Sequence, residues 1–138
     1  MKLNQLIYVS HLVNEDESMI AAILESAVRR NKQNAITGML LYAPGEFIQV
    51  LEGDEAAVQE TYDRIFLDRR HSYVTCLLHE AISERHFPQW SMGYKALRQD
   101  HIEKLTWFAP LFRFRPGDAF KGIRPGDALD MLLLFNRY

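Results

Sequence analysis

Two runs, ITGMLLYA (36–43) and EFIQVLEG (46–53), stand back to back with Pro44 and Gly45 between them. Each is short, rich in aliphatic and aromatic residues and bounded by turn residues, so the pair reads as a hairpin of two largely buried strands. One residue sits awkwardly in it. Gln49 lies in the middle of FIQVL with apolar neighbours on both sides, which places an amide with four hydrogen-bonding valences inside a core. Something polar must meet it there, and in the plainest reading that is neighbouring backbone or a core tyrosine.

Such a tyrosine lies upstream. LNQLIYVS (3–10) is too short for an ordinary helix and reads as a first strand, with Leu6 and Tyr8 on one face. A tyrosine in an apolar strand is ordinarily a core residue with its hydroxyl tied to some partner, and Tyr8 and Gln49 can each be that partner for the other. Between this strand and the hairpin, Glu15, Asp16, Glu17 and Ser18 precede apolar residues at 19, 20, 23, 24, 27 and 28. The pattern is an amphipathic helix with acid at its positive end, closing in RRNKQN. Asn31 prolongs the apolar stripe of that helix. It reads either as a C-terminal capping residue or as an amide offered to the polar edge of a heterocycle.

Downstream, Asp54 is placed to cap a second amphipathic helix over 56–68, with apolar positions Ala57, Val58, Tyr62, Ile65 and Phe66. Arg64, Asp68, Arg70 and His71 at its end form a polar face that is ordinarily solvated and that also suits a phosphate or ribityl chain. A fourth strand over 73–82 and a short fifth over 90–95 follow, with Trp90 and Met92 on one face of the latter if it is regular. The order β-α-β-β-α-β-β predicts an α+β, ferredoxin-like sheet with both crossover helices on one face. The other face then needs cover, for which 101–108 and 127–138 are the candidate helices. This divides the chain into a domain over 1–97 and a C-terminal helical extension over 98–138.

The 138 residues suit one core, with 48% hydrophobic and 25% charged residues. A formal net charge of −2 calls for neither nucleic acid nor an anionic membrane. The single cysteine, Cys76, rules out an intramolecular disulfide and a CxxC metal site. No signal-peptide core or spanning stretch is visible, and a cytoplasmic setting is the expectation. There is no glycine-rich phosphate loop, GxSxG elbow, HExxH or paired metal-ligand spacing, so neither hydrolysis nor metal catalysis is expected. The pentapeptide RPGDA occurs at 115–119 and 124–128 and reads as turn and helix-start chemistry.

With these residues in view the sequence resembles the BLUF domains, blue-light sensors that bind FAD, from about Leu3 to Lys95. LIYVS, ILESAVRRNKQNAITGMLLY, FIQVLEGD with VQETYDRI and DRRH, and FPQWSM carry the likeness. It implies a flavin between the two helices, FAD in the first place with FMN or riboflavin as alternatives. Tyr8 matches the family's photoactive tyrosine and Gln49 its switching glutamine. Asn31 matches the asparagine at the pyrimidine edge of the ring, Ile23 and Ile65 the aliphatic pair around it, and Arg64 and Asp68 the contacts to the carbonyl edge and sugar-like chain, with His71 beside them. Trp90 and Met92 match the strand pair linked to signalling. Arg30 departs from the pattern, standing where relatives often carry histidine or asparagine.

The resemblance implies light-driven electron and proton transfer among Tyr8, Gln49 and the flavin, a rearranged Gln49 and no enzymatic turnover. With no effector domain following, output is expected through a separate partner protein and a homo-oligomer. The apolar run Met131 to Phe135 is read as covering the sheet, with a dimer contact as the alternative. The rival readings are a non-photoactive ferredoxin-like binding or assembly module, and an acyl-phosphate hydrolase, for which the expected glycine-rich anion loop is missing.

Overall fold

The computed structural model describes residues 2–13, 17–43, 45–89, 92–97 and 124–135. Strand β1 (Leu3–Leu12) leads through a 3-10 turn, Glu17–Met19, into α1 (Ile20–Asn34). The hairpin follows as β2 (Thr37–Ala43) and β3 (Glu46–Asp54), then α2 (Glu55–Leu67), β4 (His71–Ala81), β5 (Gly93–Ala96) and α3 (Pro125–Phe135). The sheet order is β4-β1-β3-β2-β5. β1 pairs antiparallel with β3 and β4, β2 antiparallel with β3, and β5 parallel with β2. This is the expected ferredoxin-like arrangement with one further strand at the β2 edge.

Local chemistry explains the joints. Gly45 holds φ at 82° in the hairpin turn, a value that costs glycine nothing. The Asp54 carboxylate accepts from the Ala56 N–H and so caps α2, as its position in the sequence suggested. The start of α1 differs from expectation. Its first turn holds no acidic residue and Met19 precedes it without a side-chain cap, because the 3-10 turn takes up Glu17. Residues 14–16, which include Glu15 and Asp16, lie outside the described residues. At its other end α1 closes on Ala35, left-handed at φ 54°, whose N–H donates to the Asn31 carbonyl. Asn31 is therefore a residue of the last turn, with its side chain buried, and not the cap.

Alternation along the strands builds a core on each face of the sheet. Leu6, Tyr8, Leu40, Phe47 and Leu51 pack with Ile20 and Ile23 of α1 and Val58 of α2. Ile7, Met39, Leu41, Ile48 and Val50 pack with Ala128, Met131, Leu132 and Phe135 of α3. The terminal helix thus covers the second face, as its apolar run suggested, and four of its side chains are buried. The candidate helix over 101–108 and the first RPGDA lie outside the described residues, while the second RPGDA leads into α3.

Packing of β2 on β3 is tight at one point. A Cβ built on Gly38 would lie 1.9 Å from the Val50 carbonyl oxygen, which is backbone and cannot swing aside. Gly38→Ala should therefore lower stability by about 2–4 kcal/mol. A fall of about 10 °C in the thermal midpoint, followed by far-UV circular dichroism, is the expected outcome; an unchanged midpoint would show that the strands can move apart freely.

Candidate functional site

Tyr8 and Gln49 are direct cross-strand partners in the β1–β3 register. Directly opposed residues share a face of the sheet, and both side chains point toward α1 and α2. Tyr8 is fully buried and Gln49 nearly so. The Tyr8 hydroxyl donates to Gln49 Oε1, and Gln49 Nε2 donates to the Met92 sulfur at 3.0 Å. A thioether accepts hydrogen bonds and cannot donate them. The sulfur therefore settles which end of the amide faces it, and the oxygen is left for Tyr8. These contacts use one donor and one acceptor of the amide, half of its capacity.

The pair forms part of the wall of a narrow cleft between α1 and α2, whose enclosed volume of about 60 Å³ is below the range of about 300–1,000 Å³ common for small-molecule sites. Ile23, Ala27, Arg30 and Asn31 of α1 line one side. Thr61, Arg64 and Ile65 of α2, followed by Asp68 and His71, line the other, over Leu40 and Leu51 of the sheet. The sequence-expected residues Tyr8, Ile23, Arg30, Asn31, Gln49, Arg64, Ile65, Asp68 and His71 thus converge on one cleft. Met92 reaches it through Gln49, and Trp90 lies outside the described residues.

Several of these side chains are already engaged. Arg64 turns to Glu60 at 3.0 Å one helical turn away. Asp68 is gripped by Arg70, whose Nε and Nη2 both reach the carboxylate, the closest contact being 2.7 Å. The same guanidinium reaches Ser26 of α1 at 3.3 Å. Ser26, Ala27, Leu40, Leu51 and Thr61 also line the cleft and were not singled out from the sequence. The helical residues among them had a readable signal, since Ala27 lies midway between Ile23 and Asn31, and Thr61 one turn before Ile65. Arg70, read from the sequence with Arg64, Asp68 and His71 as suiting a phosphate or ribityl chain, lines the cleft as well.

The electrostatics favour neutral groups on the cleft floor. Burial, then the negative charge of Asp68 and the neighbouring Tyr62, push the Tyr8 phenol well above its ordinary value, so it is a protonated donor. Tyr62 meets its ring edge-on at 5.8 Å. For Asp68, burial works upward, but the hydrogen bonds and charge of Arg70 outweigh it and hold the carboxyl below the usual range. His71 is buried, with Nδ1 2.9 Å from Ser10 Oγ, and burial lowers its pKa against the opposing pull of Asp68.

This donor set suits a flat heterocycle with a polar rim. Ile23 and Ile65 offer an aliphatic slot, and the Asn31 and Gln49 amides offer donors and acceptors within it. Arginines stand nearby for anionic groups. Among the described residues no group of three His, Cys, Asp or Glu side chains could hold a metal ion, and no helix is long and apolar enough to cross a membrane.

A family model described as sensors of blue light using FAD, BLUF, matches residues 3–93. The chain is 39% identical over 111 residues to the photoactivated adenylate cyclase subunit beta of Euglena gracilis, which covers 79% of this chain and 12% of that protein. It is 38% identical over 98 residues to the blue light- and temperature-regulated antirepressor BluF of Escherichia coli (strain K12), covering 70% of this chain and 24% of that one. The chain therefore spans no more than a quarter of either curated relative. Among solved structures it superposes on BlrB, a BLUF protein in its dark state, with a TM-score of 0.76 and 27% identity, over 96% of this chain and 93% of that one.

The lowered His71 pKa has a measurable consequence. An unfolded histidine takes up its proton near pH 6.5, whereas folded His71 resists until lower pH, so the unfolded state gains the proton first as pH falls. Stability contributed by neutral His71 is present above about 6.5 and lost below it, by at most about 1.4 kcal/mol per pH unit. Urea midpoints at pH 7.5, 6.5 and 5.5 should fall more steeply in the wild type than in His71→Gln; parallel slopes would show that His71 is not the group responsible.

Proposed function

Since the chain belongs to the BLUF family of flavin-binding blue-light sensors, we propose that Tyr8, Gln49 and Met92 are its switch and that a flavin lies in the cleft between α1 and α2. The observation that carries this reading is the unbroken chain of contacts from the Tyr8 hydroxyl through the Gln49 amide to the Met92 sulfur, set in the cleft wall. Asn31 would hold the polar edge of the ring and Ile23 and Ile65 its two faces. Arg30, Arg64, Asp68 and His71 would meet its outer parts, Arg64 and Asp68 after loosening from Glu60 and Arg70. FAD is the cofactor proposed, with FMN and riboflavin as alternatives that share the ring.

A bound flavin supplies blue-light absorption and, once excited, a strong one-electron acceptor. The residues do the rest. Tyr8 is kept protonated by burial, so its proton stays in place until an electron leaves. Loss of that electron makes the phenolic proton strongly acidic, and Gln49 Oε1, already its acceptor, is the base beside it. When electron and proton return, Gln49 settles in a second arrangement. Rotation and tautomerisation are both open to an amide, and rotation is the one that turns an oxygen toward the Met92 sulfur. Neither atom can donate, so Met92 loses its hydrogen bond and is free to shift. A rearranged Gln49 amide that donates more strongly to a bound flavin would move its absorption to the red.

The output is a difference in contacts made by β5 and the sheet between the two states. A separate effector protein, assembly into a homo-oligomer, a cytoplasmic setting and the absence of enzymatic turnover complete the proposal. The names of the relatives support a sensor joined to varied outputs, a cyclase in one and an antirepressor in the other. Residues 1–97 are taken as the photosensory unit and 98–138 as the extension on its far face.

Spectra of the purified protein in darkness, after blue light and during dark recovery test this directly. A flavin spectrum with a small reversible red shift is expected, and Tyr8→Phe and Gln49→Leu should both retain flavin and lose the shift. Colourless protein that cannot be reconstituted with FAD would favour the binding-module reading instead. Asn31→Ala removes a buried amide from the ring edge and should weaken FAD binding about tenfold, a loss of about 1.4 kcal/mol, read by fluorescence titration; unchanged affinity would remove Asn31 from the site.

A further inference from the structure

On the face of the sheet away from the cleft, Gln5 and Glu52 oppose each other in the same β1–β3 register that pairs Tyr8 with Gln49. Glu52 is fully buried. Its Oε1 accepts the Phe87 N–H at 2.7 Å, and its Oε2 accepts the His86 N–H at 3.0 Å and Gln5 Nε2 at 2.9 Å. Gln5 Nε2 also lies 3.1 Å from His86 Nδ1. Arg85 adds a second set of ties, to Thr37 Oγ1 at 2.8 Å and to the Glu52 and Ala35 carbonyls, each at 2.9 Å. Gln5 Oε1 is buried with no hydrogen-bond partner. A buried carboxylate is costly unless its lone pairs are met, and here backbone N–H groups of one short segment meet them. The light chemistry proposed above uses none of these groups.

Their effect is to fasten Arg85, His86 and Phe87 to the sheet. Phe87 is fully buried in the core beneath α3, and Leu97, after β5, enters the same core. Met92 enters the opposite core, on the cleft side. Phe87 and Leu97 therefore pack on one face of the sheet and Met92 on the other, and Phe87 is pinned.

We propose that Glu52, with Gln5 and Arg85, is a positioning group for Met92: a fixed pivot at 85–87 that directs a displacement begun at Gln49 forward into β5, Leu97 and the α3 core. This rests on the light-switch reading above. A pivot has to stay still while what it positions moves, so the two sides of Met92 must respond unequally to light. The side-chain hydrogen bonds of Arg85 and Glu52 described above go to no residue of the cleft lining, so the red shift should survive their loss.

Hydrogen exchange of the full chain reconstituted with FAD, in darkness and under blue light, tests this in the wild type, Arg85→Ala and Glu52→Gln. In the wild type, light should alter exchange over 92–97 and leave the His86 and Phe87 amides unchanged. In Arg85→Ala, dark exchange of those amides should rise about tenfold. The light-induced change over 92–97 should shrink about threefold in the same variant, with the red shift retained. Glu52→Gln, which turns an N–H donor toward those amides, should act in the same direction and decides the matter if Arg85→Ala does not fold. Exchange at 86–87 that follows light as strongly as at 92–97, or a full response over 92–97 in both variants, would overturn the pivot while leaving the red shift. Bound FAD without any red shift in the wild type would instead overturn the light-switch reading and the pivot with it.

Discussion

A tyrosine and a glutamine stand directly opposite each other on two central strands, and most of the remaining structure follows from keeping them there. Both are polar and both are buried, so each alone would carry a desolvation penalty of about 1–3 kcal/mol. Facing each other they cancel much of it. The arrangement requires the β1–β3 register, while the hairpin turn at Gly45 and the close approach at Gly38 seat β2 on the other side of β3. The helices then supply walls that exclude water from the pair and leave a cleft beside it.

The same two strands carry a second polar pair, Gln5 with Glu52, on the opposite face. The two pairs differ in what completes them. Tyr8 and Gln49 are completed on the protein side by a sulfur, a weak acceptor on a flexible side chain, which can be given up at little cost. Glu52 is completed by backbone amides at short distances, which cannot be given up without moving chain. A soft contact on one face and a hard one on the other, joined by the segment from Phe87 to Leu97, make the sheet asymmetric in how readily its two sides yield.

How much of this was legible in the sequence varied with the range of the interaction. The hairpin, both crossover helices, the Asp54 cap and the apolar cover from α3 could be read because each is encoded by periodicity or by residues a few positions apart. Tyr8 and Gln49 stood out because each is a polar group in a run too apolar to be a solvated face. Gln5 and Glu52 did not stand out. They occupy alternate positions in their strands, where a polar residue looks like one pointing to water, and α3, which covers that face, arrives more than seventy residues after Glu52. The links from Ser10 to His71 and from Ser26 to Arg70 were hidden for the same reason, as each joins residues distant in sequence. At the start of α1, three acids before an apolar run promised a charged first turn, and local backbone geometry placed the helix start beyond them.

The placement of both pairs on β1 and β3, three residues apart and on opposite faces, constrains how such a chain can change over time. Side chains alternate along a strand with a period of two, so gaining or losing one residue between the pairs in either strand would exchange the faces. Tyr8 would turn toward α3, or Glu52 into the cleft. Substitutions elsewhere in the sheet can accumulate as long as volume and polarity are kept, but the spacing from Gln5 to Tyr8 and from Gln49 to Glu52 tolerates no insertion or deletion. Descendants of this sequence are free to drift in composition while the count of residues within these strands is held.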